Sequence, residues 1–137
     1  MSSSLKITTS QQQARVPVTV FHIEGDVIDA SSYEQLEAQA RAAFDAGMRN
    51  LLLDLTKVKY ISSAGLRALH AIFTLLRSDS PTESDEAMKQ GLRDGTFKSP
   101  HLKLLNPSAT VLETLRAMGF DMFLEIHHNL KEAIASF

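Results

Sequence analysis

The fold is decided by residues 51–67, whose sequence is LLLDLTKVKYISSAGLR. The apolar run LLLDL, within a strand predicted at residues 50–55, contains a single acid, which is typical of a central β-strand covered on both faces. Ser62 and Ser63 come next, and a strongly apolar helix is then predicted as far as about Arg77. The stretch therefore predicts a buried strand that leads into a helix whose start carries two hydroxyl groups.

Two strands and a helix are predicted before this stretch: Leu5–Thr9, Pro17–Glu24 and Ser31 to about Ala46. The polar segment Ser10–Gln13 separates the strands, and an opening hairpin is the natural interpretation. Ser31 and Glu34 match a capping box at the start of the helix, and Gly47 can end it.

Two further strands and two helices are predicted after it: strand Leu102–Leu105, a helix that follows Asn106-Pro107, a strand at about Met122–Ile126 and a helix from Asn129. Asn106 is expected to cap its helix with Pro107 in the first turn, and Asn129 with Glu132 forms another capping box. Residues 78–100 hold acids, two prolines, two glycines and few large apolar side chains. They predict a polar surface insertion, in which residues 83–92 could form a short exposed helix.

The predicted order is β-β-α-β-α-(insertion)-β-α-β-α, which indicates an α/β protein with a central mixed sheet and about four helices packed on it. A length of 137 residues fits one domain that spans residues 1–137. Binding sites in such sheets usually lie at the loops where strands end and helices begin.

Composition excludes several functional classes. The formal net charge of −2 provides no strong field to attract nucleic acid or an anionic membrane. The chain has no cysteine, so disulfides, thiolate nucleophiles and thiolate metal sites are excluded. Its apolar runs are shorter than the roughly 20 residues that span a bilayer, and its start, Met-Ser-Ser-Ser-Leu-Lys, lacks the pattern of a secretion signal. We expect a soluble cytoplasmic protein.

Catalytic and metal-binding patterns are weak. His127 and His128 are adjacent near a strand end, where successive side chains point to opposite faces, so one ion is not expected to bind both. His70 lies in an apolar helix and is expected to be partly buried or at the surface. Asp54 has no base spaced to work with it. We therefore predict no enzyme activity, no metal and no cofactor.

Ser62 and Ser63 carry the chemistry of the join. Serine is a favoured N-cap because its hydroxyl accepts a hydrogen bond from an amide of the first helical turn. One serine suffices for that role, and Gly65 permits close approach to the backbone. A phosphate on Ser63 would lie on the amides and the positive dipole end of the helix.

At this point the sequence resembles a known family. Residues 53–67, LDLTKVKYISSAGLR, are similar to the signature of STAS domains, and specifically of bacterial anti-sigma-factor antagonists. Residues 25–36, Asn106-Pro107-Ser108 and Met118-Gly119-Phe120 support the match, which covers nearly the whole chain outside residues 78–100. The resemblance implies a STAS-like fold for the single domain.

The resemblance also implies a phosphorylation switch that regulates transcription. In the family, a serine kinase that is itself the anti-sigma factor phosphorylates a serine in the motif, and a PP2C-type phosphatase removes the phosphate. Alignment on Gly65 and Leu66 places the acceptor at Ser63, with Ala64 in place of the second hydroxyl residue and Ser62 in place of an aspartate. Only the unphosphorylated form would bind the kinase. The protein itself is expected to contact neither nucleic acid nor a membrane directly.

The residues that the resemblance assigns to partner binding are Asp29, Ser62, Ser63, Ala64, Gly65, Leu66 and Arg67. The family's acid after the second strand falls best on Asp29, although Asp26 is another candidate and an N-cap role would explain Asp29 equally well. A monomer or weak homodimer is expected. The alternative function is a STAS scaffold or adaptor module of a larger signalling or transporter complex, without a phosphorylation cycle.

Overall fold

A computed structural model of the chain describes residues 5–77 and 98–137. Within these ranges five β-strands, four α-helices and one 3-10 helix occur in the order β1 (Lys6–Gln13), β2 (Pro17–Ile28), α1 (Ala30–Asp45), β3 (Leu51–Ile61), α2 (Ser63–Arg77), β4 (Leu102–Leu105), α3 (Ala109–Ala117), the 3-10 helix (Phe120–Met122), β5 (Glu125–His127) and α4 (Leu130–Ala135). The predicted α/β order is confirmed. The helix considered at residues 83–92, and the predicted insertion up to residue 97, lie outside the described residues.

The strands form one mixed sheet in the order β1-β2-β3-β4-β5. β1 is antiparallel to β2, as the predicted hairpin requires, and the other neighbouring pairs are parallel. The register aligns Phe21 with Leu53 and Leu53 with Leu104, so apolar side chains of three strands share one face.

Two hydrophobic clusters cover the two faces of the sheet. The larger contains Leu51, Leu53 and Leu55 of β3 together with buried residues of α1, α2 and α3. The smaller lies on the other face, where Leu52 packs with residues of β2, β4 and α4 and with Phe137 near the end of the chain. The first half of β3, Leu51–Leu55, is therefore covered on both faces, as its apolar run predicts.

The start of α2 packs directly against the end of β2. A Cβ atom added to Gly65 would overlap the carbonyl oxygen of Ile28 and would lie 2.8 Å from Cγ1 of Ile61. Glycine alone leaves room for this approach, so the helix begins where the two parallel strands end.

Three strands are longer than the sequence predicts, and β2 continues from its predicted end at Glu24 to Ile28. β1 includes the polar segment Ser10–Gln13, which pairs with β2 as far as Pro17, so the hairpin turn is Ala14–Val16. Polar residues fit here because β1 is an edge strand with mostly exposed side chains. β3 continues beyond Leu55 to Ile61 because its backbone remains paired with β2.

Two predicted helix caps are wrong. α1 begins one residue earlier than expected, and its capping box joins Asp29 to Ser32 rather than Ser31 to Glu34. Gly47 does follow the end of α1 with φ +113, a left-handed conformation that suits glycine.

The cap of α3 is Ser108, whose hydroxyl accepts a hydrogen bond from the Val111 amide, and not Asn106. Asn106 instead adopts a positive φ of 55. Asparagine tolerates this conformation better than most residues, so it turns the chain between β4 and the cap.

Two details in the last third of the chain also differ from expectation. Met122 belongs to the 3-10 helix, and β5 starts only at Glu125, where backbone pairing with β4 begins. Ser99, predicted within the surface insertion, is buried, and its hydroxyl accepts hydrogen bonds from the amides of His101 and Leu102.

The substitution Gly65→Ala is expected to lower the free energy of unfolding by about 3 kcal/mol or more, because the new methyl group overlaps backbone that cannot rotate away. Gly47→Ala is the matched control, because no atom lies within 4 Å of the Cβ added there. Its left-handed backbone conformation alone should lower the free energy of unfolding, by about 1 kcal/mol. Urea denaturation measures both values. Equal losses for the two variants would contradict the constraint at Gly65.

Candidate functional site

The candidate site is the join between β3 and α2. Ser62 is the N-cap of α2: its hydroxyl oxygen accepts a hydrogen bond from the Gly65 amide at 3.1 Å. The same hydroxyl donates to the carbonyl oxygen of Ile28 at 3.3 Å, and the Ser62 amide donates to that oxygen at 2.9 Å. Ser62 therefore ties the helix start to β2.

Ser63 is the first residue of α2 and is exposed. Within the described ranges its hydroxyl has no hydrogen-bond partner, in contrast to that of Ser62. The two adjacent serines thus differ in their environment: the Ser62 hydroxyl is hydrogen-bonded within the fold, whereas the Ser63 hydroxyl is exposed to solvent.

The residues after Ser63 alternate between surface and core. Ala64 is half-buried and Arg67 is exposed, whereas Gly65 is buried and Leu66 is 2% exposed within the larger cluster. This alternation follows from the helical period, because residues on one side of α2 face the sheet. Of the predicted partner-binding residues in this segment, the structure places Ser63, Ala64 and Arg67 at the surface.

Asp29 is the N-cap of α1. Its Oδ1 accepts hydrogen bonds from the Ser31 amide at 2.9 Å, the Ser31 hydroxyl at 2.6 Å and the Ser32 amide at 3.3 Å. The hydrogen bond from the Ser31 hydroxyl is the main cause that lowers the pKa of Asp29. Asp26, the other candidate acid, is exposed and forms an ion pair with Lys59 at 3.4 Å.

The starts of α1 and α2 lie side by side. They line a shallow cavity of about 260 Å³, formed by Ala30, Tyr33, Glu34, Ala64 and Arg67. Asp29 therefore holds α1 in position beside the residues that follow Ser63.

A groove of about 500 Å³ extends along α2 from Ser63. Its lining combines residues of α2 with one residue of α1, one of the 3-10 helix and the residue that follows α3: Ser63, Leu66, Arg67, His70, Ala71, Tyr33, Phe120 and Met118. The lining is mostly apolar, and Arg67 is its one residue of permanent charge. Sequence reasoning missed Tyr33 and Met118, because their neighbours in space are distant in the chain.

Ser10, His22 and Asp54 form a chain of hydrogen bonds on the opposite face of the sheet. The hydroxyl of Ser10 lies 3.0 Å from Nε2 of His22, and Nδ1 of His22 lies 2.8 Å from Oδ2 of Asp54. The sequence gives Asp54 no base at a recognisable spacing, but the register of β2 and β3 aligns it with His22. The bonds link three adjacent strands, β1, β2 and β3.

Asp54 is the carboxylate of this cluster, and it also accepts hydrogen bonds from Thr56. Burial alone would raise its pKa, but hydrogen bonds from the hydroxyl and amide of Thr56 and from His22 outweigh burial and leave the pKa below its ordinary value of 3.8. The anion is therefore the form that stabilises the fold.

His127 and His128 are not arranged as a pair. Nε2 of His127 lies 2.9 Å from Oε1 of Glu125, whose other oxygen is 3.3 Å from the ammonium group of the buried Lys103. His128 is exposed. In the parts of the chain that the structure describes, no three His, Cys, Asp or Glu side chains are grouped as a metal site.

His70 is exposed on α2 with its ring 6.1 Å from that of Phe73, so it takes the surface position, one of the two alternatives expected for it. Among the helices of residues 5–77 and 98–137, none is long and apolar enough to cross a membrane.

Comparison with known proteins relates this site to one family. The sequence profile of the STAS domain matches residues 9–80, which include β2, β3 and the join to α2. The Bordetella bronchiseptica protein BtrV, a candidate anti-sigma factor antagonist, is 45% identical over 51 residues. That match spans 37% of this chain and 44% of BtrV, so it covers less than half of the relative.

Solved structures share the fold. An anti-sigma factor antagonist from Mycobacterium paratuberculosis superposes with a TM-score of 0.65 at 19% identity and covers 96% of this chain and 93% of its own. The phosphorylated form of the Bacillus cell fate determinant SpoIIAA gives a TM-score of 0.60 at 17% identity, with 94% and 96% covered. Both comparisons confirm the STAS-like arrangement of strands and helices.

The substitution Asp54→Asn is expected to lower the free energy of unfolding by about 1–2 kcal/mol at pH 7, because it removes the charge that Thr56 and His22 stabilise. Since the folded pKa is depressed, the contribution is present above the unfolded value and is lost as pH falls through the folded pKa. The difference from wild type should therefore shrink below about pH 4 in urea titrations. A difference that is constant from pH 7 to pH 3 would contradict this account.

Proposed function

The chain belongs to the STAS domain family, and from that premise we propose that it is an anti-sigma-factor antagonist switched by phosphorylation of Ser63. The observation that carries the proposal is the exposed Ser63 hydroxyl, which is unengaged in the described structure, beside a Ser62 that is bound to the fold. The segment identity to BtrV supports the same function. The chain would act by binding rather than by catalysis.

The partners in this proposal are a serine kinase that is also the anti-sigma factor and a PP2C-type phosphatase. Unphosphorylated protein would bind the kinase and release the sigma factor, and phosphorylated protein would not bind. Control of a sigma factor would require this cycle to take place in the cytoplasm. The partner-facing surface would comprise Ser63, Ala64 and Arg67, while Gly65 and Leu66 position them from within the core.

Ser63 suits a phosphate better than Ser62. A phosphate on Ser62 would displace its hydrogen bonds with Gly65 and Ile28, which hold the start of the helix. On Ser63 the added charge of about −1.5 to −2 would lie in the first turn of a 15-residue helix, where the dipole favours an anion. Phosphorylation is therefore expected to change the surface charge and bulk while the fold stays intact.

Incubation with the cognate kinase and ATP should add one phosphate to wild-type protein and to Ser62→Ala, and none to Ser63→Ala. Intact mass spectrometry measures the addition. Ser62→Ala loses a helix cap worth about 1 kcal/mol, so circular dichroism must first show that it is folded. Labelling of Ser63→Ala would move the acceptor elsewhere, and an unlabelled wild type would favour the scaffold or adaptor alternative.

The substitution Ser63→Asp should weaken binding to the kinase while the circular dichroism spectrum and melting temperature stay close to those of wild type. The reason is that a negative charge in the first turn of α2 is compatible with the helix dipole but opposes the partner surface. Ser63→Asn is the control of matched size without charge. Equal affinity of the Asp and Asn variants in calorimetric titrations, with a phosphorylated sample behaving likewise, would contradict an electrostatic block.

A further inference from the structure

We propose that Arg67 is the internal counter-ion of a phosphate on Ser63, so that phosphorylation also withdraws this guanidinium from the partner. The inference rests on the proposed function, because it concerns the modified form of the same site. It assigns to Arg67 a regulatory role in addition to partner contact.

The geometry of α2 brings the two side chains together. Ser63 and Arg67 are four residues apart in one continuous helix, a spacing at which side chains lie one above the other on the same face. Helical side chains tilt toward the N-terminus, so the long Arg67 side chain leans over the turn that begins with Ser63. Both residues line the same groove, which confirms that they share a face.

Arg67 is available for this role. It is exposed, and it forms no ion pair or hydrogen bond within residues 5–77 and 98–137. Glu34 of α1 lines the adjoining cavity with Arg67 but is not paired with it. The other titratable groups that line the groove are the hydroxyl of Tyr33 and the imidazole of His70, and neither is a carboxylate.

The chemistry of the pair favours arginine. A guanidinium donates two parallel hydrogen bonds to phosphate oxygens, whereas a lysine ammonium acts as a point charge. In the unphosphorylated protein Arg67 would offer this donor set to a carboxylate of the partner. In the phosphorylated protein the same donors would be occupied, so the partner would meet an anion and would also lose a cation.

Phosphoserine incorporated at position 63 during translation tests the pair without any kinase. The second ionisation of the phosphate is followed by phosphorus NMR as a function of pH, in the wild-type background and in Arg67→Gln, Arg67→Lys and Arg116→Gln. Arg116 is an exposed arginine on α3 that lines a different cavity, so its variant removes the same charge outside the groove.

The titration midpoint should move upward by about 0.3–0.7 pH unit in Arg67→Gln, the shift that corresponds to loss of an exposed ion pair. The midpoint in Arg67→Lys should fall between those of the wild type and Arg67→Gln, and the midpoint in Arg116→Gln should match that of the wild type. Identical midpoints in wild type and Arg67→Gln, or an equal shift in Arg116→Gln, would overturn the inference. Failure of a kinase to modify Ser63 would contradict the proposed function but leave this measurement unchanged.

Discussion

The contact between Gly65 and the carbonyl oxygen of Ile28 fixes the relation of α2 to the sheet. A side chain at position 65 would push the helix away from the ends of β2 and β3, and the cap formed by Ser62 would then lose its bond to Ile28. Because the buried face of α2 determines which face is exposed, the position of Ser63 depends on Gly65, a residue buried within the fold. The candidate site is therefore supported from within the fold.

The different environments of Ser62 and Ser63 follow from this constraint. One hydroxyl is held between two backbone groups, and its neighbour one residue later faces solvent. In the proposed switch, a structural serine beside an accessible one would let the protein accept the phosphate charge without losing its helix cap. Arg67, one turn further along the same groove, would be the partner of that charge.

The two faces of the sheet serve different purposes. The face covered by α1, α2 and α3 carries the larger hydrophobic cluster and the groove beside Ser63. The opposite face carries a smaller cluster. It is flanked by the hydrogen-bonded chain of Ser10, His22 and Asp54 and by the ion pair of the buried Lys103 with the half-buried Glu125. These polar groups are satisfied by partners on neighbouring strands, so they hold the strands together at a distance from the candidate site.

The sequence by itself determined the order of strands and helices, the burial of β3 and the helix start at the two serines, because hydrophobic period and turn residues are local signals. It misplaced the caps at Ser31 and Asn106, since several polar residues near a helix start compete for that role and backbone geometry selects one. Only the tertiary structure decided which serine is free, that Asp54 pairs with His22 at a separation of 32 residues, and that Tyr33 and Met118 flank Ser63. Those relations depend on strand register and helix packing, which join residues that no local pattern connects.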